Sequence, residues 1–579
     1  MKILSLHCDY IKFKPLKKAL KSAELAKHEE AEKEVKDPLV ILTAVESSDN
    51  EASIQELVKN IKELAKQVGA KNIVLYPYAH LSPNLGKPEF AKHVLEEAQE
   101  ILKKDKDFKI VERAPFGFYK EFELKCKGHP LAELSRDIGF KEIEGKITEK
   151  EGRAEKLREE KYDPQKLLRE ISKSKLDTSK LKENDHRIIG QKQDLFSFNE
   201  IAPGMVFWHN NGLIIYNELI NYWREEHKKA DYQEVSTPQI LDKKLWQISG
   251  HWEKYKNNIF LTSYEDKEMA VKPMNCPGGM MIYKSSPKSY KDLPLRVAEL
   301  GIVHRQELSG VLGGLFRVIK FTQDDAHLYC KEEQLEEEII KIMNLIDKFY
   351  KKFNFTYHVE LSTRPEKRIG DEKLWDKAEK ILENVLKKKK TNFKLNKGDG
   401  AFYGPKIDFH IKDSLGRTWQ CATIQLDFAM PERFELTYID NDGKEKRPIM
   451  LHRTVYGSLE RFIGVLLEHT NGALPTWLSP TQIRVINFTD RNTKACEKII
   501  KDIREAVPNI RIDSDFKNIP INGKIREAEI QRIPYIIVIG DKEEKEKTLA
   551  IRKRGEKKIS SENIENFIKN IDKEIKERK

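Results

Sequence analysis

The chain has 579 residues, with 105 Lys and Arg against 94 Asp and Glu, so its formal net charge is +11. Because one hydrophobic core stops growing at about 250–300 residues, this length excludes a single core and predicts about three to five domains. The positive charge favours an anionic partner such as a nucleic acid, although a charged fraction of 34% is equally typical of a well-solvated or heat-adapted surface.

The cysteines and the apolar runs indicate the compartment. The six cysteines are scattered without Cys-X-X-Cys spacing, which favours a reducing compartment over a disulfide-linked secreted protein. The first residues, Lys2 to Leu6, have the pattern of a strand and not of a signal peptide. No apolar run approaches the roughly 18 residues of a membrane span. We therefore expect a soluble, cytoplasmic protein without a membrane partner.

Residues 1–138 have the pattern of a compact α/β domain. Short apolar runs at 39–45 and 72–78 predict two buried strands, and the apolar residues between them, from Ile54 to Val68, recur on one helical face. Residues 139–188 are rich in mixed charge and poor in aromatic residues, which is typical of a solvated linker with helical stretches.

Residues 189–479 differ in composition from the segments on either side. All seven tryptophans lie there, and short strand-like runs alternate with Gly and Pro turns, which predicts a large, mostly antiparallel α+β domain. Apolar residues from Leu335 to Phe349 predict an amphipathic packing helix. Residues 480–579 return to alternating strand and helix patterns and predict a small α/β domain.

One short stretch concentrates the chemistry of a nucleotide site. It contains Arg305, Glu307, Arg317, Phe321 and His327, close enough in sequence for one hairpin to bring them together. A guanidinium offers a rigid fork of donors that matches phosphate oxygens, and it also stacks on a flat base. Taken singly, each arginine is more often a solvated surface group.

Three residues could ligate a metal ion. Cys276, His327 and His452 combine a soft thiolate with two imidazoles, which suits zinc and leaves a coordination position open for a substrate. Their wide spacing carries no local signature, so packing roles in a core or on the surface stay open. Similarly, Tyr456 to Gly464 has the pattern of a turn entering a helix, which by itself is generic.

Taken together, the motifs resemble those of archaeal-type threonyl-tRNA synthetases, which are class II aminoacyl-tRNA synthetases. Three strings are similar to the class II motifs 1, 2 and 3, and the others to strings specific for threonine. They are Gln233 to Pro238, Arg305 to Arg317, Gly457 to Arg461, Met274 to Gly279, Phe321 to His327, Ala401 to Lys406 and Thr423 to Asp427.

The resemblance implies an ATP-dependent ligase that forms threonyl-adenylate and transfers threonine to the 3′-terminal ribose of tRNA(Thr). Arg305 would hold the α-phosphate, Glu307 the adenine amino group and Arg317 the γ-phosphate. Phe321 and Arg461 would sandwich the adenine, and Mg²⁺ would bridge the phosphates. Such a reaction depends on positioning and electrostatic stabilisation rather than on covalent catalysis.

The resemblance also implies one zinc ion per subunit, held by Cys276, His327 and His452, that binds the amino and hydroxyl groups of L-threonine. Valine lacks the hydroxyl, and a site built around such a group can reject the analogue by about 10⁴ to 10⁵-fold. Asp325 would accept a hydrogen bond from the hydroxyl. The other implied pocket residues are Gln323, Tyr403, Gln425, Gln420 and Lys406. The resemblance implies Arg305, Arg461, His251 and Lys406 as the catalytic residues. His251 is the candidate that assists attack by the ribose, with a core or capping histidine as the alternative.

Serine keeps the hydroxyl of threonine and loses only a methyl group. One site therefore discriminates serine from threonine by only about 10 to 200-fold, and a second, hydrolytic site is expected.

Residues 1–138 resemble the archaeal editing domain, which is similar to D-aminoacyl-tRNA deacylases. The matching strings run from Leu6 to Tyr10, Tyr76 to Ser82, Pro115 to Lys120 and Lys127 to Ser135. The family implies that His80, Lys120 and Glu133 lie near the ester of mischarged Ser-tRNA(Thr). The His-X-X-X-His motif of the bacterial-type editing module is absent from the sequence.

Residues 480–579 resemble the class II anticodon-binding domain, and the family implies a homodimer formed through motif 1. Asn518, Arg532, Glu543 and Arg552 match the positions that bind anticodon bases, where polar side chains suit the splayed bases of a single-stranded loop. From the residues alone, each would be a solvated polar group.

The resemblance implies four segments: an editing domain at 1–138, a charged linker at 139–188, an antiparallel-sheet catalytic core at 189–479 and an α/β anticodon-binding domain at 480–579. The sequence departs from the family at Ile319-Lys320, where Arg-Gly is usual, and at Ala422, where glycine is usual. Two alternatives are a non-catalytic RNA-binding paralogue and an editing factor acting in trans. Both are expected to lose Arg305, Arg461 or a zinc ligand, and all of these are present.

Overall fold

The computed structural model describes residues 1–20, 31–138 apart from 48, 83 and 130, the single residues 163, 165, 167 and 168, and 181–579 apart from 266. The chain divides into two compact units, Met1–Glu159 and Glu160–Lys579. Most of the predicted linker at 139–188 lies outside the described residues.

The first unit is an α/β domain. Its strands are β1 (Lys2–Lys18), β2 (Lys33–Lys36), β3 (Pro38–Ala44), β4 (Asn72–Pro77), β5 (Ile110–Arg113), β6 (Phe118–Cys126) and β7 (Glu133–Asp137), and its helices are α1 (Glu51–Val68) and α2 (Pro88–Lys103).

The predicted strand, helix, strand order of this unit is confirmed by β3, α1 and β4. The strands β3, β4 and β5 are parallel, whereas the long β1 pairs antiparallel with β2, β3, β6 and β7. Asn50 caps α1, and the apolar residues that the sequence places on one face of the helix, such as Leu57 and Ile61, are buried in the core beneath the parallel strands. Burial of this apolar face stabilises the helix against the sheet.

The second unit contains the remaining elements. Its strands are β8 (Phe196–Ser197), β9 (Phe207–Trp208), β10 (Gln233–Glu234), β11 (Ile240–Asp242), β12 (Leu261–Tyr264), β13 (Lys267–Val271), β14 (Leu295–His304), β15 (Lys320–Cys330), β16 (Thr356–Ser362), β17 (Phe393–Asn396), β18 (Lys406–Lys412), β19 (Thr418–Asp427), β20 (Tyr438–Ile439), β21 (Glu445–Lys446), β22 (Ile449–Thr454), β23 (Ile483–Asn487), β24 (Ile512–Asp515), β25 (Tyr535–Ile539), β26 (Thr548–Lys553) and β27 (Ser560–Asn563). Its helices are α3 (His186–Lys192), α4 (Asn210–Lys229), α5 (Lys243–Ile248), α6 (His251–Tyr255), α7 (Cys276–Lys284), α8 (Leu335–Lys352), α9 (Glu372–Lys388), α10 (Ala429–Arg433), α11 (Leu459–Thr470), α12 (Thr493–Ala506), α13 (Ile521–Ile530), α14 (Asp541–Glu546) and α15 (Ile564–Lys576).

An eight-stranded sheet with the order β10-β14-β15-β22-β19-β18-β16-β17 forms the centre of the second unit. All its strand pairs are antiparallel except the outermost ones, β10 with β14 and β16 with β17, which confirms the mostly antiparallel prediction. One face packs on helices, among them the predicted amphipathic helix α8, whose apolar stripe is buried. Because side chains alternate between faces, polar residues of the same strands lie on the other face.

The last hundred residues form the predicted small α/β domain. Its five-stranded sheet has the order β24-β23-β25-β26-β27, and the first three strands are parallel. An ion pair of 2.9 Å between Arg511 Nη1 and Glu218 Oε1, together with a 2.9 Å hydrogen bond from Lys352 Nζ to the Glu577 carbonyl, joins this domain to the helices of the preceding one. Across the described ranges, no helix combines the length and the apolar character needed to cross a bilayer.

Candidate functional site

A cavity of about 460 Å³ lies on the polar face of the eight-stranded sheet. On β15, the lining residues Phe321, Gln323 and Asp325 alternate with buried residues such as Thr322 and Asp324. The structure thus brings together side chains that are far apart in the sequence. The predicted site residues on the wall are Cys276, Arg305, Glu307, Arg317, Phe321, Gln323, Asp325, Tyr403, Gln420, Gln425, His452 and Arg461.

The three predicted metal ligands converge at one end of this cavity. Strand register places His327 directly opposite His452, and Cys276 begins α7 beside them. One ligand atom from each of the three lies within 4.8 Å of the other two, and all three residues are buried. This separation and this donor set fit one zinc ion bound by a soft sulfur and two imidazoles.

Burial and hydrogen bonding prepare these groups to bind a cation. His327 Nε2 is buried without a hydrogen-bond partner, and burial lowers the pKa of His327 to about 4, so that the ring keeps its lone pair at neutral pH. The Nε2 atom of His452 lies 2.8 Å from Asp427 Oδ2. Burial raises the pKa of the Cys276 thiol well above its usual range, so a thiolate there depends on a nearby positive charge.

Polar groups surround the metal-ligand cluster. Asp325 Oδ2 lies 3.8 Å from His327 Nε2 and accepts a 3.2 Å hydrogen bond from Asn275 Nδ2. The ring of Tyr403 lies 5.3 Å from that of His452. Gln425 donates from Nε2 to the Gly404 carbonyl at 3.2 Å. A small ligand at this end of the cavity would therefore meet a carboxylate, a phenol and an amide.

The wall of the same cavity carries three of the predicted arginines, Arg305, Arg317 and Arg461. The guanidinium of Arg305 lies 5.2 Å from the ring centroid of Phe321, and its Nε donates to the Pro273 carbonyl at 3.1 Å. Arg317 pairs with Glu307 through two hydrogen bonds of 2.8 and 3.1 Å. A phosphate bound to Arg317 would have to replace this carboxylate, because both compete for the same guanidinium donors.

Arg461 is positioned by the turn that precedes α11. Gly457 adopts a φ of +83°, and a Cβ there would approach the Cys421 carbonyl oxygen to 2.5 Å, so only glycine fits. The fully buried Asp324 accepts from the backbone N–H groups of Val455, Tyr456 and Gly457 at 2.8 to 3.0 Å. Ser458 caps the helix, and Arg461 Nε then donates to the Phe316 carbonyl at 3.0 Å.

Two predicted catalytic residues do not line the cavity. His251 is fully buried, with its Nδ1 2.8 Å from Ser249 Oγ and its Nε2 without a partner, and burial lowers its pKa to about 3. Lys406 donates from Nζ to Asp408 Oδ2 at 2.8 Å. Their proposed roles stay predictions, and direct contact with a ligand would require both side chains to move.

Three residues that hold the predicted site residues in place, Asp324, Asp427 and Lys272, were not predicted from the sequence to have such a role. Asp324 and Asp427 are buried carboxylates that orient the motif 3 turn and His452, respectively. The buried Lys272 donates to Thr237 Oγ1 at 2.7 Å and to Glu299 Oε1 at 2.8 Å, which ties the predicted motif 1 to the edge of the sheet. For Asp427 a signal was available in the sequence: in a strand, residues two apart lie on the same face, so Asp427 shares the face of Gln425.

The first unit has its own cavity of about 490 Å³, with mostly apolar walls. His80 and Lys120 line it. Lys120 Nζ donates to the carbonyls of Pro115 and Phe118 at 3.0 Å, lies 5.1 Å from the Tyr76 ring centroid, and has a pKa lowered to about 8 by burial. Glu133, the third predicted residue, is exposed on β7 and does not line the cavity.

The four predicted anticodon-binding residues are spread over the C-terminal sheet. Asn518 and Glu543 follow the carboxyl ends of β24 and β25. Arg532 precedes β25, and Arg552 pairs with Ile536 near the start of that strand. The four therefore span the sheet from one end of its parallel strands to the other.

Profiles of three protein families match the chain in order. Residues 1–138 match the archaea-specific editing domain of threonyl-tRNA synthetase, residues 256–470 match the class II tRNA synthetase core domain (G, H, P, S and T), and residues 482–574 match an anticodon-binding domain. The threonine–tRNA ligase of Caldanaerobacter subterraneus subsp. tengcongensis is 47% identical over 494 residues, covering 83% of this chain and 76% of that protein. The chain belongs to the threonine–tRNA ligase family.

Other members of the threonine–tRNA ligase family are similarly close. The enzyme of Carboxydothermus hydrogenoformans is 52% identical over 398 residues, which is 69% of this chain and 62% of that protein. The chain thus spans about 62% of the length of this and several other curated relatives. A crystal structure described as the RNA-binding domain of threonyl-tRNA synthetase from Cryptosporidium parvum Iowa II has 39% identity and a TM-score of 0.65, covering 67% of this chain and 98% of that one.

A second solved structure, a putative threonyl-tRNA synthetase from Aeropyrum pernix, has 26% identity and a TM-score of 0.59, covering 68% of this chain and 96% of that one. Together with the three profiles, these matches confirm the layout predicted for this chain. It has an N-terminal editing domain, a class II core and a C-terminal anticodon-binding domain.

Proposed function

We propose that this chain charges tRNA(Thr) with L-threonine in two steps, activation by ATP and transfer to the 3′-terminal ribose. The observation that carries the proposal is one cavity whose wall carries Arg305, Arg317 and Arg461 together with Cys276 and His452, which converge with the buried His327. An amino acid and a nucleotide must meet in one site to form an adenylate. The candidate metal ligands and the arginines of this cavity suit those two substrates.

At the nucleotide end, the arginines neutralise charge and hold the phosphates. Arg305 is fixed by Pro273 and lies against Phe321, so it can bind the α-phosphate while its charge stabilises the reacting phosphorus centre. Arg317 would exchange Glu307 for the γ-phosphate, which frees the Glu307 carboxylate to accept from the adenine amino group. Mg²⁺ bound with ATP would neutralise the remaining phosphate charge.

At the amino-acid end, a zinc ion held by Cys276, His327 and His452 would coordinate the amino and hydroxyl groups of threonine. Asp325 is the acceptor for the hydroxyl, because its carboxylate lies beside His327. Gln323, Tyr403, Gln425 and Gln420 line the same wall and can orient the amino and carboxylate groups. A valine would leave these polar groups unpaired, whereas a serine would satisfy nearly all of them.

The first unit supplies the hydrolytic correction that serine requires. Its cavity is large enough for a small aminoacyl ester, and His80 and Lys120 line a wall that is otherwise largely apolar. We assign removal of serine from Ser-tRNA(Thr) to this cavity. Glu133 would act from the exposed surface of β7, outside the cavity wall.

The C-terminal domain would bind the anticodon through Asn518, Arg532, Glu543 and Arg552. Their spread across the sheet suits an extended, single-stranded loop better than one compact ligand.

The enzyme would act as a homodimer in the cytoplasm. Its subunits would pair through the segment after β10, because β10 is an edge strand of the large sheet. A single-chain mass by light scattering would contradict the dimer.

Amino-acid-dependent exchange between ATP and pyrophosphate tests the proposed function. Threonine should support exchange, serine should support it about 10 to 200-fold less well, and valine about 10⁴ to 10⁵-fold less well. The proposal would be refuted if none of the amino acids supported exchange, or if valine supported exchange to the same extent as threonine. If the chain were instead a non-catalytic paralogue or a trans-editing factor, no amino acid would support exchange.

A further inference from the structure

A second cluster of metal-ligating side chains lies on the large sheet, on strands next to those that form the cavity. His358 and Glu360 lie two residues apart on β16 and therefore on the same face. Strand register places His410 of β18 directly opposite His358. His410 is in turn opposite Gln420, a residue of the cavity wall, so the cluster shares the face on which the cavity opens.

The distances within this cluster are those of ligands around one ion. His358 Nε2 lies 3.6 Å from Glu360 Oε1, and His410 Nε2 lies 3.7 Å from Glu360 Oε2. Both are too long for strong hydrogen bonds. Two ligands bound tetrahedrally at about 2.0–2.1 Å are separated by roughly 3.4 Å, which is close to the separations here. One ligand atom from each of the three residues lies within 4.8 Å of the others.

The surroundings hold the three groups in place and keep them available. The imidazoles of His358 and His410 are stacked at 4.9 Å with an interplanar angle of 12°. Asn396 donates from Nδ2 to Glu360 Oε2 at 3.0 Å, which orients the carboxylate in the manner typical of groups that support metal ligands. Lys394 Nζ is the competing cation, but it lies 3.9 Å from Glu360 and is 78% exposed.

We propose that His358, Glu360 and His410 form a second binding site for a divalent transition-metal ion such as Zn²⁺, distinct from the cluster at Cys276. Two nitrogens and one carboxylate favour zinc, cobalt or nickel over magnesium or calcium, which prefer oxygen ligands. His358 is half exposed, so the fourth position faces solvent and is open to water or an anion. A bound ion would also tie β16 to β18 and so stabilise this edge of the sheet.

Zinc content of the full-length protein after equilibration with buffered Zn²⁺ tests the proposal. We expect about two ions per chain in the unchanged protein, about one in His358→Ala/His410→Ala, about one in Cys276→Ser, and none in the triple variant. His93→Ala is the matched control, since this exposed histidine has one carboxylate, Glu51, at 3.3 Å and should keep both ions. Equal zinc content in the unchanged protein and in His358→Ala/His410→Ala would overturn the proposal.

Cobalt substitution provides a second measurement that does not depend on total zinc. Co²⁺ bound to two imidazoles and a carboxylate absorbs in the visible range but lacks the charge-transfer band of a thiolate ligand. The Cys276→Ser protein loaded with Co²⁺ should keep a visible spectrum without that band, and the added substitution of His358 and His410 should remove it. A spectrum unchanged by the added substitution would contradict the second site. Circular dichroism of each variant verifies that the fold is retained.

Discussion

Asp427 orients His452, one of the three predicted metal ligands. Its Oδ2 lies 2.8 Å from His452 Nε2, while its Oδ1 accepts from the backbone N–H groups of Ala429 and Met430 at 2.8 and 2.9 Å. The carboxylate is thereby fixed at the start of α10. Because Nε2 of His452 is engaged, Nδ1 is the nitrogen left to bind a cation. Such supporting hydrogen bonds fix the tautomer and the orientation of a metal-binding imidazole.

Lys120 would give the proposed hydrolytic cavity a distinct pH dependence. Burial lowers its pKa from 10.5 to about 8, so the ammonium group loses its charge within the range of an ordinary assay. If the charged form assists hydrolysis, the enzyme-dependent deacylation of Ser-tRNA(Thr) should decline as the pH rises through about 8, after the spontaneous hydrolysis is subtracted.

Lys120→Arg is the matched control for this pH profile, since a guanidinium stays charged throughout the range. This variant should lack the decline near pH 8, whatever its absolute rate. A profile that is the same for both proteins would assign the titration to another group and remove Lys120 from the hydrolytic step.

At the scale of elements, the turn from β22 into α11 links two residues of the cavity wall, His452 and Arg461. His452 lies on the strand and Arg461 on the helix, so the turn at Gly457 sets their relative position. Three backbone N–H groups of this turn donate to Asp324 on β15. The turn is thereby fixed to the strand that carries Gln323, Asp325 and His327.

Gly457→Ala should disrupt this turn. Gly457 and Gly443 both have positive φ, at +83° and +75°, but only at Gly457 would a Cβ meet another atom, the Cys421 carbonyl oxygen at 2.5 Å. The left-handed conformation alone costs about 1–2 kcal/mol for alanine. We expect Gly443→Ala to lose only that amount, and Gly457→Ala to lose at least about 1 kcal/mol more.

Urea unfolding followed by tryptophan fluorescence measures both variants, because all seven tryptophans lie between residues 189 and 479. Threonine-dependent exchange should fall for Gly457→Ala and stay unchanged for Gly443→Ala. Equal losses of unfolding free energy in the two variants would show that the structure accommodates the added Cβ beside the Cys421 carbonyl oxygen without further destabilisation.

Local sequence patterns were sufficient to predict the elements but not the contacts between them. The apolar pattern from Leu335 to Phe349 and the turn entering a helix at Tyr456 to Gly464 both predicted elements that the structure confirms. The role of Asp324 could not be predicted in this way, because Val455, whose N–H it binds, lies 131 residues further along the chain. His251 shows the same limit: its complete burial depends on packing against α5 and Tyr403, which no local pattern encodes.

At the scale of the whole molecule, the proposal assigns synthesis and correction to different compact units. Each has its own hydrophobic core and its own cavity. The proposed division has a physical basis, since a site that recognised the hydroxyl shared by serine and threonine would not by itself reach the accuracy that translation needs. The second cavity would add a separate selection step.

Removal of residues 1–138 should separate the two activities. We expect charging with threonine to be unchanged, while Ser-tRNA(Thr) accumulates to the level set by the roughly 10 to 200-fold discrimination of the first site. Acid-gel or mass-spectrometric analysis of the charged tRNA distinguishes the two products. The full-length His80→Ala/Lys120→Ala protein should accumulate the same product. If serine stays excluded from both proteins, the hydrolytic site lies elsewhere.

The most direct test of the account is a paired measurement of zinc content and threonine-dependent pyrophosphate exchange in Cys276→Ser, with the buried Cys496→Ser as the matched control. The account predicts that Cys276→Ser loses the zinc of that cluster and its exchange activity together, while Cys496→Ser keeps both. Exchange that persists in Cys276→Ser without metal at this cluster would contradict the proposed recognition of threonine.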